Sequence, residues 1–288
     1  MIINSILDND LYKFTMQRAV LGYRQNVPVH YIFNNRRKEG KFNKEFMFAL
    51  YKQIDHMASL KADPDEIDFL GKSCPFLGVE YLQYLANYRF NPREVTASFE
   101  DGELFVDIRG PWERTILWEV PLMAIISELY FENCDTDWWK SHEWQKDNLA
   151  IKASHLNQLP AFADFGTRRR RSYESQDRVV DILKKFDNFV GTSNVHFAEK
   201  HGVKPLGTMA HEWIMGISAL EGLRFANRHA TKIWSQIYKG NLGTALTDTF
   251  GSKAFFDDWD SESARLYDSV RHDSGDPYLY VDMVANAY

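Results

Sequence analysis

His211 stands in Gly207-Thr208-Met209-Ala210-His211-Glu212, where an apolar run gives way to polar residues. A neutral imidazole there could serve as a base, a ligand or a nucleophile near neutral pH. Asp248, in Thr247-Asp248-Thr249, and Asp273, in Arg271-His272-Asp273-Ser274-Gly275-Asp276, close later apolar runs in the same way. Asp273 could hold magnesium together with Asp276, or orient a ribose hydroxyl; helix N-capping is the structural alternative. Arg168 and Arg271 carry the planar fork that clamps phosphate or carboxylate through two bonds. For Arg169, Arg170 and Arg171 the expectation is surface salt bridges. Phe165 could stack on a flat ring or fill a core. Gly166, Gly191 and Gly275 suit turns where backbone amides approach an anion. Together these types suit a flat acidic ring joined to a phosphorylated sugar.

Generic motifs are quickly set aside. Asp164-Phe165-Gly166 matches the magnesium tripeptide of protein kinases, but no Gly-rich loop precedes it and no catalytic-loop motif occurs. His211-Glu212 lacks the second histidine of the zincin spacing. There is no Walker loop, no dinucleotide fingerprint and no His-x-His.

The elements that must position these residues follow from periodicity. From residue 160 onward, short apolar runs end in polar clusters and are followed by helical segments at gaps of about 20 to 40 residues, the size of one strand–helix unit in a (β/α) barrel. Earlier, residues 10 to 22 read as a helix after Asp8-Asn9-Asp10. Val27, Val29, Tyr31 and Phe33 alternate like a half-buried strand, and Phe46, Leu50, Ile54 and Met57 fall at helical spacing. Val95, Ala97 and Phe99 face Leu104, Val106 and Ile108 across Asp101-Gly102, a hairpin signal. A long apolar helix is expected after Pro111, then a Trp-rich segment to about residue 158. The fold expected is α/β, with an N-terminal α+β region (1–110) packed on an irregular (β/α) barrel (111–288). The strand ends fall short of the about eight that closure needs, so the barrel is expected to be incomplete at its C-terminus.

Composition bounds the rest. The chain has 288 residues, 44% of them hydrophobic and 15% aromatic, enough to bury a core without a disulfide or structural metal. A net charge of −6 with interspersed signs argues against a nucleic-acid coat, which would rest on basic patches. Cys74 and Cys134 are the only cysteines, a usage that fits a reducing cytoplasm while leaving one disulfide possible. The N-terminus shows no basic leader before an apolar stretch. The most apolar stretch, 115–130, is interrupted by Glu119 and Glu128 and reads as a buried helix, not a membrane span.

The wording of the motifs adds a resemblance. Asp164-Phe165-Gly166-Thr167-Arg168-Arg169-Arg170, Phe189-Val190-Gly191-Thr192-Ser193-Asn194, Gly207 to Trp213, Ala245-Leu246-Thr247-Asp248 and Arg271 to Pro277 resemble the strand ends of nicotinate phosphoribosyltransferases. Leu7 to Gln17, Phe90-Asn91-Pro92, Gly110 to Glu113 and Leu117 to Pro121 agree too, so the likeness runs in order to about residue 277. It implies attack by the nicotinate ring nitrogen on C1 of phosphoribosyl pyrophosphate, in NAD salvage, with magnesium on the pyrophosphate and ATP as co-substrate. It implies a phosphorylated His211, with Asp248 and Asp273 on ribose or metal and Arg271 on phosphates. Phe165 would stack on the pyridine ring, and Tyr12 of a second subunit would approach it from the other side, making a homodimer. Arg168, Thr192 and Ser193 would bind substrate. Ser193 stands where nicotinamide-specific relatives have an aspartate, which would repel a carboxylate. Family members normally run about a hundred residues further, by the same resemblance, so a truncated chain is expected. Rival readings are a nicotinamide or quinolinate phosphoribosyltransferase, a non-catalytic remnant, and a barrel hydrolase using His211, Asp248, His272 and Asp273.

Overall fold

The computed structural model describes residues 1–36, 41–137 and 142–288, His142 by its backbone alone. The chain forms two compact units, Met1–Gln17 with Gln25–Gly207, and Arg18–Arg24 with Thr208–Tyr288. The division therefore runs through the first helix, α1 (Leu11–Tyr23). The architecture is mixed α/β, and no closed barrel forms among the described residues.

In the first unit, β1 (Pro28–Ile32) precedes α2 (Lys44–Met57), α3 (Pro64–Ser73) and α4 (Val79–Asn87). Then β2 (Val95–Glu100) and β3 (Glu103–Pro111) complete a three-stranded antiparallel sheet of order β1-β3-β2. The hairpin register pairs Val95 with Ile108, Ala97 with Val106 and Phe99 with Leu104. Asp101 and Gly102 take φ of 50° and 85°, the left-handed turn that the Asp-Gly pair tolerates. Gly110, where the sequence suggests a boundary, lies inside β3. Helix α2 buries Phe46, Leu50, Ile54 and Met57, with Asn43 capping it through the Phe46 amide.

The helix expected after Pro111 is broken into α5 (Trp112–Thr115) and α6 (Glu119–Asn133). Pro121 explains the break. A continuous helix would need its N–H to bond the Leu117 carbonyl, and proline has none. That carbonyl instead accepts from Asn9 Nδ2 at 2.9 Å, which ties the break to the segment before α1. Of the Trp-rich segment, residues 138–141 lie outside the described residues, and α7 (His142–Leu156) carries the remainder.

Two strand–helix units follow, β4 (Phe162–Asp164) with α8 (Tyr173–Leu183) and β5 (Phe189–Thr192) with α9 (Val195–His201). β4 and β5 pair in parallel. At the next expected strand there is only an isolated parallel bridge, Thr192 to Pro205. Gly191 permits this close approach. Its φ is +139°, and a Cβ there would sit 2.0 Å from the Lys204 carbonyl oxygen.

The second unit holds Arg18–Arg24, α10 (His211–Glu221), α11 (Ala226–Tyr238), β6 (Thr244–Leu246), α12 (Ser252–Asp257), α13 (Ser261–Leu266), β7 (Ser269–Arg271) and α14 (Pro277–Ala287). β6 and β7 pair in parallel. Its core is aromatic. Trp234 lies 5.6 Å from Trp213 and 4.6 Å from Tyr238 between ring centroids, spacings that favour edge and tilted contacts. Tyr23 meets the Trp213 ring edge-on, and the Arg18 guanidinium sits 4.5 Å from the Tyr238 ring centre. Among the described residues no helix is long and apolar enough to cross a membrane.

Candidate active site

The candidate residues fall into two groups, one in each unit. In the first unit, the ends of β4 and β5 are locked together by buried hydrogen bonds. Asp164 Oδ2 accepts from the Thr192 hydroxyl at 2.8 Å and from Gln176 Nε2 at 3.0 Å, and Asp164 Oδ1 accepts from the Gly166 amide. Thr192 is fully buried, so its hydroxyl holds the scaffold and is not displayed. Ser193 is also fully buried, and its Oγ donates to Asp10 Oδ1 at 2.7 Å. Burial pushes the Asp10 carboxyl above its usual range, opposed by bonds from Ser193 and Thr167. A carboxyl group is therefore already present beside Ser193.

Phe165 is 56% exposed at the turn after β4. A phenyl ring held more than half exposed at a strand end offers a stacking face. Arg168 Nη1 donates to Glu119 Oε1 at 3.0 Å, and the buried Lys13 ammonium pairs with the other oxygen of the same carboxylate. Burial pushes Glu119 up, but Lys13 and Arg168 outweigh it and hold the carboxyl low. Tyr12 is buried, and its hydroxyl has no hydrogen-bond partner of good geometry. Burial, then Asp10 and Glu119, keep that phenol firmly protonated, with Arg168 of the same chain opposing them. Beside Arg168 opens a cavity of about 690 Å³, lined by Arg169 and Arg171 and by the rings of Phe42, Tyr130 and Phe131 among others. Such a lining suits an anion with a flat portion.

Arg170 corrects the sequence expectation. It is not a surface residue: its side chain is 1% exposed and grips Asp8 with both terminal nitrogens, at 2.7 and 2.8 Å. Asn194 Nδ2 donates to the same Asp8 oxygen at 2.7 Å. Arg171, in contrast, is exposed, with its guanidinium 3.6 Å from the Phe131 ring centre.

In the second unit, His211 is the first residue of α10. Its Nδ1 lies 3.0 Å from Thr249 Oγ1, and its Nε2 lies 3.3 Å from Asp273 Oδ2 and 3.9 Å from Asp248 Oδ1. One ligand atom from each of the three lies within 4.8 Å of the others. Asp248 Oδ1 is buried with no hydrogen-bond partner, while Oδ2 accepts from the Ser274 hydroxyl. Arg271 is anchored by the Met209 carbonyl at 3.1 Å and lies 3.5 Å from Asp273 Oδ1. The expected partnership of Asp273 with Asp276 is not formed. Asp276 caps α14, accepting from the Tyr278 and Leu279 amides, and Pro277 at the first helical position fixes it in that role. Asp248 takes its place beside Asp273. His272 stays outside the cluster, with its ring 4.8 Å from Tyr280.

Asp8, Asp10, Lys13 and Glu119 escaped sequence reasoning as polar contributors. The signal was the density of polar residues in a segment, Asp8 to Lys13, that is otherwise buried.

Two family models match the chain. Residues 161–288 match the Nicotinate phosphoribosyltransferase (NAPRTase) family, and residues 7–127 match the NAPRTase N-terminal domain. A nicotinate phosphoribosyltransferase of Methanosarcina acetivorans is 48% identical over 304 aligned positions, covering 100% of this chain and 75% of that protein. One of Desulforapulum autotrophicum is 46% identical, with 100% and 74% covered. Among solved structures, the nicotinate phosphoribosyltransferase of Porphyromonas gingivalis superposes with a TM-score of 0.95 at 38% identity, covering 100% of this chain and 74% of that one. The chain thus spans about three quarters of the length of these relatives.

Proposed function

The chain belongs to the nicotinate phosphoribosyltransferase family, so its reaction is phosphoribosyl transfer to nicotinate in NAD salvage, and we propose that His211 couples that reaction to ATP. The nicotinate ring nitrogen forms the bond to C1 of phosphoribosyl pyrophosphate as the C1–O bond breaks, and pyrophosphate leaves. The observation that carries the His211 role is its setting. One ring nitrogen meets a hydroxyl that fixes the ring, and the other faces two carboxylates. That is the geometry of an oriented nucleophile.

Magnesium fits the same cluster. The buried, unpartnered Oδ1 of Asp248 is an acceptor awaiting a cation, and Asp273 supplies a second carboxylate oxygen nearby. Such oxygens suit a hard ion that keeps several waters and shares phosphate ligands. When bound, it would neutralise charge on the departing pyrophosphate. Arg271, anchored through the Met209 carbonyl, presents its guanidinium to phosphate oxygens on this side. In the first unit, Arg168 answers the carboxylate or phosphate of substrate, and Phe165 offers its ring face to the pyridine. Tyr12, protonated and short of a partner, would complete the sandwich from a second subunit. The unpaired thiols of Cys74 and Cys134 support a cytoplasmic setting.

The test is nicotinate mononucleotide formation by the purified chain with nicotinate, phosphoribosyl pyrophosphate and magnesium, with and without ATP. Product that rises with ATP supports the reading. Product from nicotinamide or quinolinate instead, or bound ligand with no product, overturns it. Sedimentation of the same sample as a monomer would remove the role given to a second Tyr12.

Two substitutions probe the first unit. Phe165→Ala should raise the KM for nicotinate about tenfold with less effect on phosphoribosyl pyrophosphate, because stacking and burial of one ring are worth roughly 1–2 kcal/mol. Equal change for both substrates would place Phe165 elsewhere. Ser193→Asp should shift the kcat/KM ratio from nicotinate toward nicotinamide, since a carboxylate repels the acid. Asp10 sharpens that expectation: two buried carboxyls in contact cannot both ionise, so one would carry a proton and could donate to a carboxamide oxygen. An unchanged ratio would show that Ser193 does not set specificity.

A further inference from the structure

Glu66, His196 and Glu199, none of them used above, bring one ligand atom each to within 4.8 Å of one another in the first unit. His196 and Glu199 stand three apart on α9, which puts both on one face. Glu66 reaches them from the first turn of α3. We propose that this trio binds a first-row divalent metal of the zinc type, as a site fastening α3 to α9.

Ligand preparation supports the assignment. Metal-binding side chains are normally held by partners that fix their orientation. The Tyr173 hydroxyl lies 2.8 Å from His196 Nε2, fixing the ring and leaving Nδ1 as the nitrogen for the ion. Glu66 is held at one oxygen by the Ser5 hydroxyl and at the other by the Asp63 amide at 2.9 Å. Each of those oxygens keeps a further lone pair. The charge arrangement points the same way. Among the described residues no lysine or arginine pairs with Glu66 or Glu199, and Asp63 and Asp65 add negative charge around Glu199. Lys200 and Arg170 act on His196, so the negative charge is concentrated at the two glutamates, where a dication would offset it. One imidazole nitrogen and two carboxylate oxygens suit zinc or cobalt(II) better than magnesium, which takes oxygen ligands almost alone. Three protein ligands leave room for water.

This site shares no residue with the His211 cluster, and its test does not depend on turnover. The chain carrying Asp248→Asn and Asp273→Asn, so that the other cluster holds no ion, is stripped with chelator and dialysed against Zn²⁺ and, separately, Co²⁺. One zinc per chain should be retained, with the visible absorption of low-coordinate Co²⁺ in the parallel sample and a raised Tm. Adding Glu199→Gln should weaken retention at least about tenfold and abolish the Tm rise. Among the described residues the Glu199 side chain has no hydrogen-bond or ion-pair partner to lose, so the apo variant should melt no lower than its parent. Tyr173→Phe should weaken retention by a smaller factor. No retained zinc, or equal retention after Glu199→Gln, overturns the proposal.

Discussion

His211→Ala should lower kcat/KM measured with ATP by about 100-fold or more, to the level seen without ATP. The coupled hydrolysis of ATP should vanish with it. Geometry states why. When Nδ1–H is donated to Thr249 Oγ1, Nε2 keeps its lone pair and faces the side rimmed by Asp248 and Asp273. In the proposed step, attack on the γ-phosphorus of ATP would form the N–P bond, break the P–O bond to ADP, and leave the ring proton on Nδ1. The other tautomer donates Nε2–H to Asp273 and cannot attack from that atom. Wild-type protein incubated with radiolabelled ATP should therefore carry acid-labile phosphate, and the alanine variant none. Thr249→Val, which removes the orienting hydroxyl, should retain the label but acquire it more slowly. ATP stimulation that survives in His211→Ala would sink the phosphohistidine role while leaving the transferase reaction standing.

Arg170→Met should cost about 3–5 kcal/mol of stability, the usual cost of stripping one partner from a buried ion pair. Asp8 would remain in the interior with only the Asn194 amide to satisfy it, and the ends of β4 and β5 would lose the clamp that joins them to the segment before α1. Urea unfolding reads the effect as a lowered midpoint. Adding Asp8→Asn to Arg170→Met should recover part of the loss, because the double variant buries no uncompensated charge. A midpoint unchanged in the single variant would mean that the pair contributes specificity and no net stability.

What the sequence disclosed was governed by local rules. The β2–β3 register could be read because Asp-Gly fixes the turn and alternation fixes the faces. The ends of β4, β5, β6 and β7 could be read because polar residues interrupt apolar runs at regular gaps. Long-range partnerships stayed hidden. Nothing near Arg170 in sequence announces Asp8, 162 residues away, so four successive arginines look like a solvated face. Asp273 and Asp276 look like a metal pair at i,i+3, but Pro277 starts a helix and turns Asp276 into its cap. Ser193 stands out in the sequence by its motif, but the carboxyl that its hydroxyl touches comes from Asp10, 183 residues away. Periodicity also ran through Pro121 without registering the missing N–H that breaks the helix.

The second unit is built from a short early segment and a long late one, and this has a consequence for synthesis. Arg18 donates to the Ile237 carbonyl, 219 residues further along. At about 5–20 residues per second, Arg18 emerges from the ribosome on the order of 10–40 s before that partner exists. Throughout that interval Tyr23 has no Trp213 to meet, and Arg18 has no Tyr238 ring to cover. The first unit can close while its chain is still growing; the second must wait for the last helices and then reclaim a piece of peptide made at the start.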